Sequence, residues 1–211
     1  MAHSVRLPSQ RPPKAERTRA AILAAAERLF AERGFDATRL EDVASAVGIR
    51  RASIVYHFRD KAELYDAVLA DVLGTLRARL ERVLLEDAPF ARRIERAVST
   101  WIDEVVARPA LARLLLREVA DGTPARDSRL APHLRPFFPL VERFLATRDV
   151  ALPRDVDPVA VASQVAGGTV FFVAAMPSLL PGLAFDPLDP ARLEALRRDL
   201  LGAVRRLLGA A

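Results

Sequence analysis

The stretch Thr38–Leu64 reads TRLEDVASAVGIRRASIVYHFRDKAEL, and it carries more information than any other part of the chain. It divides into two short helical segments, Leu40 to Val47 and Arg50 to Phe58, hinged at Gly48-Ile49. Two helices that cross closely need a small residue at their contact, and Ala44 supplies it. Four residues later the tight turn favours a left-handed backbone, which Gly48 adopts without a Cβ penalty. Val43, Val47, Ile49 and Ile54 fall where an apolar wedge between the helices requires them. The second segment then shows a polar face of Arg50, Arg51, Ser53, Tyr56 and His57. Ala-x-x-x-Gly alone is a weak signal. Four apolar positions in phase and a basic second helix turn it into the pattern expected of a helix-turn-helix.

Working outward, Lys14 to Arg33 repeats apolar residues at helical spacing (Ile22, Ala26, Leu29, Phe30), and Gly34 supplies the stop. Before it, residues 1–13 hold three prolines with Arg6 and Arg11 and read as a flexible basic arm. After the motif, Asp60 is a plausible N-cap, with Glu63 completing a capping box for a helix through Leu64, Val68, Val72 and Leu76. A soft domain boundary falls within this helix, near Leu69 to Leu73. Residues 14–69 then form a DNA-binding domain and 70–211 a larger helical domain. In the latter, Phe90 to Ala107, Pro109 to Ala120, Leu130 to Arg148, the uncharged run Pro158 to Leu180 and Ala191 to Leu208 all carry helical spacing. Pro89, Pro109, Gly122-Thr123-Pro124, the loop Val150 to Asp157 and the loop Pro181 to Pro190 separate them. Nothing reads as a strand, so the fold class is all-α.

Composition narrows the function. The chain has 211 residues, a formal net charge of +5 and no cysteine, which excludes disulfides, thiol nucleophiles and thiolate metal sites. Its three histidines, His3, His57 and His133, are far apart, so no metal site and no cofactor are expected. The basic charge is nearly all arginine, and its planar fork suits phosphates and guanine edges. From Met1 to Phe58 there are ten Arg/Lys against six Asp/Glu, a local surplus that favours nucleic acid. Glu104, Glu118 and Asp121 are lone carboxylates, and no nucleophile set or phosphate loop accompanies them, so an enzyme is not indicated. The polar start has no apolar h-region, so a cytoplasmic location is expected. Residues Pro158 to Phe185 lack charge over a length that spans a bilayer. However, Ser163, Gln164, Gly167-Gly168 and Thr169 dilute the run, Pro177 and Pro181 break its end, and its flanks are acidic. A helix buried at a subunit interface is the reading favoured over a membrane span.

The motif resembles the DNA-binding domain of TetR/AcrR-family transcriptional regulators. Gly34-Phe35, Thr38, Val43-Ala44, Gly48-Ile49, Tyr56-His57-Phe58 and Lys61-Ala62-Glu63-Leu64 carry the likeness over about Lys14 to Leu69. The resemblance implies that Arg51 faces base edges in the major groove and that Arg50 and Ser53 touch phosphate or a neighbouring base. It further implies that Tyr56 and His57 bond the DNA backbone, that Lys61 anchors a phosphate, and that Thr38 and Arg39 lie against the other strand. Ala52 and Val55 depart from the glycine and tyrosine common in the family, which leaves the base preference unread.

The resemblance also implies a homodimer on a double-stranded palindromic operator. Its helices Pro158 to Ser178 and Ala191 to Leu208 would pair with their copies, and Gly167-Gly168 would permit close approach. Most members are repressors released by a small molecule. Here a small hydrophobic effector would lie among Trp101, Leu115, Phe137, Phe138 and Phe171, with Arg117, Glu118, His133 and Gln164 as polar anchors. Phe137-Phe138 is the leading choice because Pro136 and Pro139 would distort their helix and open space. A regulator without a small ligand and a non-specific architectural DNA binder remain the alternatives.

Overall fold

The computed structural model describes residues 13–120, 128–147, 157–183 and 185–207. Most of the basic arm, the Gly122-Thr123-Pro124 break, most of the Val150 to Asp157 loop and Leu208 lie outside these residues. The described residues are helical, with no strand among them. The N-terminal helices are α1 (Lys14–Ala37), α2 (Leu40–Val47), α3 (Arg51–His57) and the long α4 (Lys61–Leu84). The second half holds α5 (Phe90–Ala107), α6 (Pro109–Ala120), α7 (Ala131–Leu134), α8 (Phe137–Ala146), α9 (Pro158–Val170), α10 (Met176–Leu179) and α11 (Pro190–Leu207).

α1 turns its apolar stripe inward, with Ile22, Ala26 and Phe30 fully buried. Gly34 does not end the helix outright. It takes φ +83° and ψ 173°, and a short extra turn follows to Ala37 before the chain turns into α2. α4 packs against both α1 and α5 and runs unbroken through the expected boundary, so the two halves share one rigid rod. Along it Leu64, Val68, Val72 and Leu76 recur every fourth residue and are all buried.

α5 is strongly amphipathic and occupies the centre of the second half. Its Phe90 ring stacks on Phe144 of α8 at a centroid distance of 4.7 Å. Arg93 is buried beside these rings, where its guanidinium donates to Leu84 O at 3.0 Å and to Thr147 Oγ1 at 2.7 Å. Those bonds offset the cost of burying the charge and tie the ends of α4 and α8 together.

Three expectations for this half need correction. Leu130 to Arg148 is two helices, because Pro136 ends α7 and becomes the N-cap residue of α8. Pro139 then sits in the first turn of α8, where its missing N–H costs nothing, so it distorts no helix. The uncharged run is likewise interrupted. Between α9 and α10, Phe171–Ala175 forms a π-helical turn in which the Met176 N–H reaches Phe171 O. Pro177 lacks the N–H that would bond Val173 O, which favours the wider turn just ahead of it. Finally, Gly168 serves packing within the chain: a Cβ there would lie 3.2 Å from Leu200 Cδ2 of α11, whereas Gly167 has open space.

The segment Val159–Leu179 is long and apolar enough to cross a membrane by length and composition. It packs instead on α5, α6, α8 and α11 through one side, where Thr169, Val170 and Val173 are buried. Its other side leaves Val159 and Phe171 about half exposed.

Candidate nucleic-acid interface

The α2–α3 unit is built on an apolar wedge. Val43 and Ile54 are fully buried and Ala44 nearly so, while Val47 and Ile49 pack on them from the rim. Gly48 ends α2 in the left-handed region at φ 72°, ψ 33°. There the Gly48 N–H donates to Ser45 O at 3.2 Å and the Ile49 N–H to Ala44 O at 3.0 Å. These paired bonds satisfy the last carbonyls of α2 and set the angle at which α3 leaves. Asp42 caps the other end, accepting the Arg39 N–H at 3.1 Å while its carboxylate meets Arg33 of α1 at 3.3 Å.

α3 is a seven-residue helix held down by Ile54 and, at its end, by buried Phe58. The Arg19 guanidinium of α1 lies 5.1 Å from the Phe58 ring centroid, closing the wedge from the other side. Everything else on α3 faces outward. Arg50 and Arg51 are exposed, Ser53 and His57 are half-buried, and Tyr56 is 82% exposed with its ring edge-on to His57. Five of the sequence-assigned contacts are thus at least partly accessible. Arg39, at the start of α2, is exposed as well.

Two assignments change. Thr38 is fully buried, and its hydroxyl donates to Gly34 O at 2.7 Å. It locks the turn between α1 and α2, and its side chain is not available to DNA. The Lys61 ammonium donates to Phe35 O at 2.8 Å and Asp36 O at 3.1 Å, above the Phe35 ring. It staples the start of α4 to the end of α1, which limits it as a free phosphate ligand. Asp60 accepts the Glu63 N–H at 2.8 Å as expected of an N-cap. The reciprocal bond differs, since Glu63 takes the Arg59 N–H at 2.9 Å and not that of Asp60. The Glu63 amide, followed by the Arg59 side chain, holds the Asp60 carboxyl below its ordinary acidity range.

The sequence reading missed Arg59 and Glu41. Arg59 has 83% of its side chain exposed at the α3–α4 corner. Glu41 pairs with Arg51, its Oε1 lying 2.9 Å from Nε. Thr38, Arg39, Leu40, Glu41, Arg51, Arg59, Asp60 and Lys61 border one shallow hollow of about 340 Å³, in which four cations face two carboxylates. An excess of arginine around residue 50 was the available signal for Arg59. Nothing local marks the Glu41 pair, because it joins two helices.

The suggested effector anchors lie elsewhere than expected. Arg117 donates to Ala31 O at 3.0 Å and Glu32 O at 2.8 Å of α1. Glu118 accepts the Tyr65 hydroxyl of α4, and His133 Nε2 lies 2.7 Å from Asp66 Oδ1. All three therefore bind the second half to α1 and α4 and do not line a common pocket. Arg108 strengthens the same seam through Glu27 at 2.6 Å and Asp71 at 3.2 Å. Burial pulls its pKa down, but the two carboxylates outweigh that and raise it above the ordinary value. Trp101 is buried, with no partner for its indole N–H among the described residues. Leu115 and Phe137 are half-buried against the core, whereas Phe138, Gln164 and Phe171 are exposed.

Comparison with known proteins agrees with this geometry. The model of the family described as "Bacterial regulatory proteins, tetR family" matches residues 22–68, which run from α1 into α4. The chain is 32% identical over 115 residues to the HTH-type transcriptional regulator RutR of Escherichia coli K12, covering 54% of each. It is 48% identical over 56 residues to the HTH-type transcriptional regulator TtgR of Pseudomonas putida, covering 26% of this chain and 27% of that one. The chain thus aligns with about half the length, or less, of these curated relatives. The whole fold resembles that of the transcriptional regulator FadR of Bacillus subtilis, solved in complex with stearoyl-CoA. That likeness has a TM-score of 0.67 at 15% identity over 91% of this chain and 98% of that one. The relatives so named are transcriptional regulators and not enzymes. The two-helix reading unit and its buried wedge thus lie within the stretch, residues 22–68, that is similar to the tetR family of bacterial regulatory proteins.

Proposed function

We propose that the protein is a cytoplasmic, sequence-specific DNA-binding regulator of transcription. In this reading it acts as a homodimer on a palindromic operator and is released by a small hydrophobic effector. The observation that carries the reading is the exposure pattern of α3, with Ile54 buried beneath it and Arg50, Arg51 and Tyr56 in solvent. A short helix gripped from one side, with arginines and a hydroxyl on the other, suits the major groove. Arg51 reads a base edge. Arg50, Ser53, Tyr56, His57 and Arg39 engage the sugar-phosphate backbone or a neighbouring base, joined by Arg59. Thr38 and Lys61 act from behind by fixing α1, α2 and α4 relative to one another.

One reading unit offers too little contact for high affinity, and a dimer gains by spanning half-sites about 34–36 Å apart. The exposed apolar residues Val159, Phe171 and Leu179 support a second copy of the chain as the partner, seated on α9, α10 and α11. The stearoyl-CoA in the similar Bacillus subtilis structure supports a hydrophobic effector, which this reading puts near Trp101, Leu115 and Phe137. Effector and DNA then compete by population shift, with α6 as the link, since it lies in the second half yet grips α1 through Arg117. Repression is the simplest action, because a seated dimer blocks that DNA to other proteins.

The test is selection of DNA fragments by the purified protein at about 0.15 M salt, a concentration that weakens non-specific contacts. Arg51→Ala is run in parallel. One palindrome-like site, blunted by the substitution, is the expected outcome. Diffuse recovery that Arg51→Ala leaves unchanged removes Arg51 as the base reader and leaves a non-specific architectural binder.

A further inference from the structure

The ion pair between Glu41 and Arg51 has a chemistry of its own. Glu41 stands in the first turn of α2, where the helix dipole favours a carboxylate. Arg51 opens α3, ten positions later in the chain, and its Nε lies 2.9 Å from Glu41 Oε1. Both side chains are about 60% exposed, so in water the pair adds little to stability. A carboxylate on a surface meant for DNA also repels phosphates. The other acid of the same hollow, Asp60, is explained as a helix cap. Glu41 has no such duty.

Among the nitrogens of Arg51 it is Nε, and not the terminal pair, that stands at ion-pair distance from Glu41. An arginine held there keeps Nη1 and Nη2 side by side at the tip of its planar fork, the arrangement that meets O6 and N7 of guanine. A long side chain also loses rotamer freedom when it binds, and a pair formed beforehand reduces that loss. Once a groove excludes water, the same pair strengthens as the local dielectric falls. We propose that Glu41 is a specificity-determining positioning residue: it pins Arg51 through Nε so that the terminal fork selects guanine over other bases and over phosphate. The proposal rests on Arg51 being the base reader.

The experiment uses the full chain and a labelled duplex carrying the sequence that the wild-type protein selects. Single-base variants at its guanine positions and a scrambled duplex of equal length serve as comparisons. Arg51→Ala should erase the preference at one guanine position, a loss of roughly tenfold or more. Glu41→Ala should weaken the preference at that same position by about three- to tenfold. It should also raise affinity for the scrambled duplex by about twofold or more, because a repelling charge is gone. Glu41→Gln keeps an acceptor without the charge, so it should restore the guanine preference while retaining the higher non-specific affinity. Circular dichroism melting checks that each variant is folded; should Glu41→Ala melt early, the Gln variant against Arg51→Lys, which lacks the fork, gives the same comparison. Full guanine preference in Glu41→Ala, or equal loss in Ala and Gln, overturns the proposal. Arg51→Ala that changes no position overturns instead the reading beneath it.

Discussion

The α2–α3 pair and the α9–α11 region are inverse constructions. The first hides Val43, Ala44 and Ile54 and turns arginine, tyrosine and histidine to solvent. The second leaves Val159, Phe171 and Leu179 at the surface, and its longest uncharged stretch has only a minority of its residues inside the chain. A polar exterior on a dry wedge is complete in itself and waits for a charged partner. An apolar exterior costs free energy in water until something covers it. In the proposed reading the first end meets DNA and the second another copy of the chain, and the contrast is what supports that division.

The contrast breaks most severely at Ile54. Ile54→Ala empties a fully buried site under α3 and should destabilise the N-terminal unit by about 2–5 kcal/mol, read as a lower melting temperature. A melt within a degree of wild type would show that α3 does not depend on the wedge. At the opposite end, Phe171→Glu places a charge on a residue 49% exposed in the single chain. The fold should survive while the dimer dissociation constant rises about tenfold or more, followed by sedimentation. Unchanged association would move the interface away from this face.

The smallest effect sharpens the junction between the two regions. The Asp60 carboxyl has a lowered pKa in the folded chain, so its contribution is present above the ordinary value of 3.8 and fades as pH falls through the lower, folded value. Asp60→Ala should therefore lower the melting temperature near neutral pH, and the gap to wild type should close in strong acid. A gap that persists at low pH would mean the side chain acts through packing rather than charge.

Much of the fold was legible because its signals are local. α2, α5 and α6 begin and end where glycine, proline and apolar period place them, since each of those residues acts on its own few dihedrals. The splitting of Leu130 to Arg148 was not legible, because Pro136 permits either a kink or a break and packing decides between them. At the interface, Arg51 and Tyr56 stay exposed because the helical period turns Ile54 inward and leaves them out, while Arg50 stands just ahead of the helix. Thr38 and Lys61 fit the same motif, yet their polar atoms are taken up by carbonyls of α1.

The sequence by itself determined that the chain is all-α, that a two-helix reading unit lies near its start, and where a basic face would form. Periodicity and turn chemistry are properties of neighbouring residues, so they survive without knowledge of the whole. Only the tertiary structure decided that Arg117, Glu118 and His133 clasp the two halves together, and that Glu41 holds Arg51. A charged side chain reaches several ångströms and has many acidic or carbonyl partners within the chain. Which one it meets depends on how distant helices cross, and that is set by packing of the apolar faces between them.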